Sequence, residues 1–366
     1  MSDKIVLSQR HDVSVFLNGK FIPADEARVG VMAHGLSYGT GCFEGIRGYW
    51  NPQSEDVYIF RAREHFERLH RSCKIMNIAL PYSVDDLVEI AVELVRRNGY
   101  RENVYLRPFA YKADEIIGVK LHDLQDHFTM YAIPMGDYVS TTGLRCGVSS
   151  WRRIDDNMIP ARAKISGAYV NSAFAKTEAL KNGFDEAIML TAEGHVSEGS
   201  AENIFLVLNG ELVTPPPSEN ILQGITRDTV IELARRELDR ITRERVIDRT
   251  ELYCADEIFL TGTGAQIAPV IAVDHRSIGT GVVGPLASQL QSAYNDIVRG
   301  MRPEYMHWCQ PVYHAERRAP TASAVPAGLT SALEHRGDLA PNGHKNGHSR
   351  ARSGRTGTSA TTPKRD

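Results

Sequence analysis

The chain has 366 residues, of which 42% are hydrophobic and 24% charged, with a formal net charge of −3. These values are ordinary for a soluble globular protein and leave room for two domains. No run approaches the ~20 apolar residues of a membrane span, and no apolar stretch of a secretory signal follows the N-terminal residues.

The five cysteines are odd in number, scattered along the chain, and include no C-x-x-C pair. This usage favours a reducing compartment and argues against a disulfide framework or a structural zinc site. We therefore expect a cytoplasmic protein without a bound metal.

Charge is distributed unevenly. The segment 314–366 carries nine Lys/Arg against four Asp/Glu, a net +5, whereas the remainder carries 33 against 41, a net −8. A globular part this acidic is a poor nucleic-acid binder, and we expect neither a nucleic-acid nor a membrane partner. The composition of 314–366 cannot bury enough apolar surface to offset chain entropy, so we predict a disordered basic tail.

The N-terminal part begins with a predicted β-hairpin. Two apolar runs within residues 13–23 flank Asn18-Gly19, the dipeptide of a type I′ turn. The following segment, 35–49, is rich in glycine with interleaved aromatic residues. Such a segment either turns tightly or lets a ligand approach the backbone.

Two helices are predicted next. Residues 61–77 have helical periodicity, and Arg68 lies beside the apolar face, where it could point inward at an anion or remain solvated. A second helix begins at the capping box of Ser83 and Asp86 and ends before Gly99.

Residues 104–111 alternate as in a strand, which places Tyr105, Arg107 and Phe109 on one face. An arginine between two aromatic side chains suits a carboxylate. The alternative is a charge on an edge strand, which Pro108 would favour. Further strands are predicted at 128–134 and 147–151.

The stretch 161–205 contains the residues with the strongest chemical indication. Lys164 lies among small and apolar residues, and a lysine removed from water is the usual amine for a Schiff base. After a helix from Tyr169 to Gly183 and a strand at 187–190, Glu198 follows among small residues and could protonate a pyridine nitrogen. These are the two protein groups that a pyridoxal phosphate site most needs. A surface lysine and a loop acid are the alternative.

Two turns downstream suit a phosphate. After a second Asn-Gly hairpin at 203–214, Gly224-Ile225-Thr226 opens a helix whose free N–H groups and positive end attract anions. A strand at 257–261 leads into a second small-residue turn at 262–266.

Together these motifs resemble the fold-type IV, pyridoxal-phosphate-dependent branched-chain amino acid aminotransferases over about residues 13–313. The resemblance is carried, in chain order, by Tyr38-Gly39-Thr40, Phe43-Glu44-Gly45-Ile46-Arg47, Glu64-His65 with Arg68-Leu69-His70, Tyr105-Leu106-Arg107-Pro108, Ala163-Lys164, Ser197-Glu198-Gly199 with Glu202-Asn203, Gly224-Ile225-Thr226-Arg227 and Gly262-Thr263.

The resemblance implies an α/β (α+β) fold in two domains with the cofactor between them. We expect a smaller N-terminal α/β domain at 1–138, a linker at 139–145, a larger cofactor-binding domain at 146–313 and the tail at 314–366.

It also implies roles for individual residues. Lys164 would bind pyridoxal 5′-phosphate covalently and move the substrate proton, and Glu198 would hold the pyridinium. Further contacts are implied for two groups of residues: Arg68, Ile225, Thr226 and Thr263 at the cofactor phosphate with Tyr169 near its O3′, and Tyr38, Phe43, Tyr105 and Arg107 at the substrate.

In this family a loop of a second subunit completes the pocket, and the segment around Gly118-Val119 resembles that loop. We therefore expect a homodimer or a hexamer built from dimers. Two positions depart from the family pattern: Ala168 stands where asparagine is frequent, and Met135 stands where some members have a tryptophan.

The predicted activity is amino-group exchange between leucine, isoleucine or valine and 2-oxoglutarate, through amino acid and 2-oxo acid substrates. Alternatives of the same fold are a D-amino acid or amine aminotransferase and an aminodeoxychorismate-lyase-like enzyme. An adaptor with an idle core is the alternative of a different class, but it gives Lys164 and Glu198 no chemical task.

Overall fold

A computed structural model describes residues 12–136 and 143–314. The predicted tail from Ala315 onward, and most of the predicted linker, lie outside the described residues. The helices of the described part are α1 (His34–Tyr38), α2 (Ala62–Ile75), α3 (Val84–Arg97), α4 (Tyr169–Lys181), α5 (Ile225–Leu238) and α6 (Pro285–Val298).

The strands form two sheets. The first contains β1 (Ser14–Leu17), β2 (Lys20–Pro23), β3 (Gly41–Phe43), β4 (Ile46–Asn51), β5 (Asp56–Phe60), β6 (Val104–Lys112), β7 (Asp126–Pro134) and β17 (Cys309–Pro311). The second contains β8 (Leu144–Arg152), β9 (Glu186–Leu190), β10 (Val196–Gly199), β11 (Asn203–Leu208), β12 (Glu211–Thr214), β13 (Thr242–Glu244), β14 (Glu257–Gly262), β15 (Gln266–Val273) and β16 (Arg276–Ser277).

The first sheet is antiparallel in the order β17-β5-β4-β6-β7-β1-β2, with β3 paired to β6. Both residues of the Asn18-Gly19 turn have positive φ, 46° and 90°, as the predicted hairpin requires. Helices α2 and α3 bury their apolar faces against this sheet. The capping box at Ser83 and Asp86 is present at the start of α3.

The second sheet has the order β10-β9-β8-β15-β14-β11-β12-β13, and β8 runs parallel to both of its neighbours. Phe205 and Phe259 stack in parallel at 5.1 Å on the face covered by α5 and α6. The predicted helices and strands around Lys164 and Glu198 are therefore present, and the mixed α/β (α+β) fold is confirmed.

Helix α4 packs differently from what its sequence suggests. Its apolar stripe includes Val170 and Phe174, which are 57% and 48% exposed, whereas the buried face consists of Ser172, Ala175 and Ala179. Small residues let the helix approach β8 and β9 closely. Helical periodicity thus predicted the helix, but within this chain α4 buries the face with the small residues and exposes its apolar stripe.

The last strand returns to the beginning of the chain. Cys309–Pro311 pairs with β5 of the first sheet, and Tyr49, Tyr58 and Phe60 of that sheet share a core with α6. The predicted division into two domains at 139–145 stays a prediction. With that division, β17 would belong by sequence to the second domain but pair with a strand of the first. In the described part of the chain, no helix is long and apolar enough to cross a membrane.

Candidate active site

A cavity of ≈ 420 Å³ opens between the two sheets and the connection from β8 to α4. Ten of the eleven residues to which we assigned a site role line it. They are Phe43, Arg68, Tyr105, Arg107, Lys164, Tyr169, Glu198, Ile225, Thr226 and Thr263. Residues up to 220 positions apart in sequence therefore meet in one space, as Phe43 and Thr263 do.

Lys164 lies on the connection between β8 and α4, which the first sheet holds in place. The N–H of Phe43 donates to the carbonyl of Lys164 at 3.0 Å, and the N–H of Lys164 donates to Oγ of Ser72 at 3.1 Å. Nζ of Lys164 donates to the hydroxyl of Tyr169 at 2.6 Å and lies 5.2 Å from the ring centres of both Phe43 and Tyr169. Hydrogen bonds thus hold both the backbone and the side-chain amine of Lys164, and two aromatic rings lie beside the amine.

Glu198 forms a second wall of the cavity. It follows an irregularity in the pairing of β10 with β9, a device that redirects side chains. Its carboxylate pairs with Nε of Arg153 at 2.8 Å and accepts hydrogen bonds from Nδ2 of Asn203 at 3.0 Å and the N–H of Leu222 at 3.1 Å. Burial raises the pKa of Glu198, while Arg153, the Leu222 N–H and Lys164 oppose that shift.

These contacts orient Glu198, which is 6% exposed, and support its ionised form. A cationic ring nitrogen would strengthen that ionised form further, because an opposite charge lowers the pKa of a carboxyl group.

The third wall suits an anion. Gly224 is the N-cap of α5 and has no side chain to cap the first-turn N–H groups of Ile225 and Thr226, and both of these residues line the cavity. Arg68 of α2 reaches the same region and donates from Nη1 to the carbonyl of Gln223 at 2.8 Å. A helix N-terminus and a guanidinium therefore converge where a phosphate is predicted.

The fourth wall is aromatic around Arg107. Its guanidinium carbon lies 4.5 Å from the ring centre of Phe43 and 5.2 Å from that of Tyr105, and Nη2 donates to the Tyr105 hydroxyl at 2.8 Å. Gly45 leaves room for this arrangement, since a Cβ there would lie 2.2 Å from the Tyr105 hydroxyl oxygen. Burial raises the pKa of Tyr105, so this hydroxyl stays protonated.

Tyr38 is the assigned residue that does not line the cavity. It lies at the end of α1, is 37% exposed, and its hydroxyl accepts the N–H of Gly118 at 3.4 Å. The positions that depart from the family pattern, Met135 and Ala168, both line the cavity.

Sequence reasoning missed several charged residues of the site. Arg153 pairs with Glu198, and Glu44 pairs with Arg68. Lys176, Glu186 and Glu202 line a polar extension of the cavity. Glu44 and Glu202 stood within the motifs, but their roles depend on contacts across the fold that one sequence does not reveal.

The cavity fits a phosphorylated pyridine aldehyde because it brings together the amine of Lys164, the buried carboxylate of Glu198 and the anion cup. Two polar atoms of its lining, Oγ1 of Thr261 and Nε of Arg107, are buried without a hydrogen-bond partner among the described residues. Within the same described ranges, no cluster of three or more His, Cys, Asp or Glu could hold a metal ion.

Comparison with known proteins identifies the family. Residues 41–273 match the family described as Amino-transferase class IV. The chain belongs to the class IV aminotransferases. A probable branched-chain-amino-acid aminotransferase of Aquifex aeolicus (strain VF5) is 50% identical over 299 residues, which cover 81% of this chain and 96% of that relative.

Solved structures agree with this class IV assignment. The branched-chain aminotransferase from Thermoproteus uzoniensis, crystallised with norvaline, is 46% identical with a TM-score of 0.79 and covers 82% of this chain and 99% of its own. The branched-chain amino acid aminotransferase from Thermobaculum terrenum, in its PLP-form, is 38% identical with a TM-score of 0.79 and covers 83% and 99%. The resemblance stated from the motifs is thereby confirmed.

Proposed function

We propose that this class IV aminotransferase uses pyridoxal 5′-phosphate to exchange amino groups between branched-chain L-amino acids and 2-oxoglutarate. The observation that carries the proposal is one cavity in which Lys164 with Tyr169, Glu198 with Arg153, and an anion cup surround a common space. The relatives bear the same activity in their names.

Lys164 would hold the cofactor aldehyde and exchange it for the substrate amine. Its Nζ would take the proton from the substrate α-carbon and deliver it to the cofactor carbon C4′ in one half of the reaction, and would move a proton in the opposite direction in the other half. The Tyr169 hydroxyl at 2.6 Å orients Nζ, and the rings of Phe43 and Tyr169 limit the access of water to it. The other lysine of the described cavity lining, Lys176, is paired with Glu186.

Pyridoxal phosphate, when bound, supplies an electron-withdrawing ring that stabilises negative charge at the substrate α-carbon. Glu198 would keep the ring nitrogen protonated, and Arg153 would keep Glu198 ionised and oriented. Arg68, the N–H groups of Ile225 and Thr226, and Thr263 would hold the phosphate.

Arg107 would let one pocket accept two kinds of side chain. While an aliphatic side chain is bound, the guanidinium stays against the rings of Phe43 and Tyr105, as it does here. When 2-oxoglutarate arrives, its distal carboxylate can pair with that guanidinium, whose Nε has no hydrogen-bond partner among the described residues.

A homodimer, either alone or within a hexamer, is supported by an apolar surface that we call the rim, residues 29–38 and 116–119. Its side chains include Val31, Ile117 and Val119, which are 83%, 98% and 88% exposed. Nε2 of His34 contacts the carbonyl of Gly118 at 2.8 Å, so the two segments form one surface. Exposed apolar patches of this kind mark protein interfaces. Tyr38 lies on the rim and would reach the substrate of the partner subunit.

We also propose a cytoplasmic location, which is supported by five free cysteines, four of them buried.

The experiment that tests the proposal is an amino-donor panel measured against 2-oxoglutarate with the purified holoenzyme. Leucine, isoleucine and valine should be the preferred donors. D-enantiomers and simple amines form the comparison arms, and preference for either would favour the related D-amino acid or amine aminotransferases instead.

A further inference from the structure

A buried carboxylate stands directly behind the anion cup. Glu44 is fully buried and accepts two hydrogen bonds from Arg68, from Nε at 2.7 Å and from Nη2 at 2.8 Å. On its other side, Nδ1 of His65 lies 2.8 Å from Oε2 of Glu44. The three side chains form a closed group between β3, β4 and α2, and each is at most 4% exposed.

We propose that Glu44 is a positioning residue for the cofactor phosphate, because it holds the Arg68 guanidinium in the orientation that receives a phosphate before the cofactor arrives. This inference rests on the proposed function, in which Arg68 contacts that phosphate.

The donor geometry of arginine supports the proposal. A guanidinium has five N–H donors in a rigid fork. Glu44 takes those of Nε and one of Nη2, and the carbonyl of Gln223 takes one of Nη1. One N–H on each terminal nitrogen is left, and Arg68 lines the cavity. These two N–H groups are the donors that Arg68 can offer to phosphate oxygens.

The protonation states are consistent with this arrangement. Burial by itself would raise the pKa of Glu44, but Arg68 and His65 beside it hold that pKa well below its usual range. The carboxylate therefore accepts from both neighbours. Burial lowers the pKa of His65, so a neutral imidazole donates through Nδ1.

Charge and position act in opposite directions here, which makes the proposal testable. The negative charge of Glu44 repels a phosphate, so Coulomb interactions alone would make its removal strengthen phosphate binding. The positioning role predicts that removal of Glu44 weakens phosphate binding. Without Glu44, the long Arg68 side chain must become ordered during binding, and two of its donors lose their partner.

The test compares two aldehydes that differ only in the phosphate. The full-length chain, freed of cofactor, is titrated with pyridoxal 5′-phosphate and with pyridoxal, and the absorbance change on reaction with Lys164 gives each Kd. The Kd for pyridoxal divided by the Kd for pyridoxal 5′-phosphate reports how much the phosphate strengthens binding, and this quotient is the ratio compared between variants. Glu44→Gln and Glu44→Asp should each lower this ratio by about 10- to 100-fold, the range for hydrogen bonds to a charged group, while the Kd for pyridoxal changes little.

Glu44→Asp is the matched control for charge, because it keeps the negative charge but withdraws it from the two contacts. It also serves if Glu44→Gln fails to fold. Arg68→Met should lower the ratio at least as much, and Glu44→Gln added to Arg68→Met should lower it no further.

A ratio that is unchanged or raised in the Glu44 variants would overturn the positioning role. Equal weakening of both aldehydes together with a lower melting temperature would also overturn it, because a merely structural residue has that effect. If Arg68→Met itself keeps the wild-type ratio, the assignment of Arg68 to the phosphate fails, and that result is separate from either outcome for Glu44.

Discussion

The pH dependence of stability offers a direct test of the charges around the cavity. Glu202 is 8% exposed and lines the polar extension of the cavity, where its Oε2 accepts the N–H of Ala201 at 3.0 Å. Glu186 faces the same region but is paired with Nζ of Lys176 at 2.5 Å. None of the ion pairs found in the described ranges includes Glu202.

Burial, followed by the negative charge of Glu186, raises the pKa of Glu202 from its ordinary 4.5 to about 8. Glu198 acts in the same direction, and Lys176 and the Ala201 N–H oppose the shift. The thiol of Cys146 also lies near this group, and burial raises its pKa, so it stays neutral.

The sign of the effect follows from proton binding. Between about pH 4.5 and 8 the folded chain keeps the Glu202 proton, whereas the unfolded chain has lost it. The contribution of this proton to stability is therefore complete below about pH 4.5 and is lost as the pH rises through about 8. Across this window the free energy of unfolding falls by about 1.4 kcal/mol for each pH unit.

Glu202→Gln imitates the protonated side chain, so its stability should not carry this dependence. We expect the melting temperatures of wild type and variant, both free of cofactor, to agree near pH 5 after allowance for a constant offset. The variant should then gain on the wild type by about 2 °C per pH unit up to about pH 8. Glu186→Gln breaks the ion pair with Lys176 and also removes one of the charges that raise the pKa of Glu202, so in that variant the pH dependence should end at a lower pH than in the wild type.

Thermal unfolding followed by circular dichroism between pH 5 and pH 9 measures the difference. Parallel curves for wild type and Glu202→Gln would refute the reasoning, because they would mean that Glu202 is ionised in the folded protein throughout this range.

Three further changes test the proposed reaction and assembly. Lys164→Ala should abolish turnover while the fold is kept. Borohydride reduction and peptide mapping of the wild type should find the pyridoxyl group on Lys164. A label on another lysine would contradict the assignment. Arg107→Met should weaken the binding of 2-oxoglutarate and glutamate by about 2–5 kcal/mol, seen as a higher KM, and should change the KM for leucine little. Equal weakening in both half-reactions would make Arg107 a structural residue. Val119→Asp places a charge on the rim and should shift the protein towards monomers in sedimentation experiments, whereas Glu193→Gln, outside the rim, should not; an unchanged oligomer would exclude the rim as the interface.

Much of the fold could be predicted because the responsible interactions are local. The Asn18-Gly19 turn needs only its own two residues to adopt positive φ, and the capping box at Ser83 needs only the next three. Lys164 and Glu198 were predicted as site residues for a similar reason: a lysine or glutamate among small residues is unusual within a few positions of sequence.

What could not be predicted depends on which surface an element meets. The apolar stripe of α4 predicted a helix, yet Phe174 stacks on Trp151 at 4.5 Å on the outside of this chain, and both residues are more than 40% exposed. Periodicity reports that a helix has an apolar side, but it does not report whether that side packs within the chain or on a partner. For the same reason, a single sequence does not show whether Tyr38 contacts the cavity of its own chain or that of a partner subunit.

The missed residues follow from a physical requirement that applies to every buried charge. Glu198 and Arg68 were predicted from their motifs, but a charge removed from water is retained only if an opposite charge or several hydrogen bonds compensate it. Arg153 and Glu44 provide that compensation, and they lie 45 and 24 positions away in sequence. A sequence that predicts a buried ionised residue therefore also predicts an unseen partner for it. The partner is as necessary to the chemistry as the residue with the motif, because without it the residue would lose either its charge or its orientation.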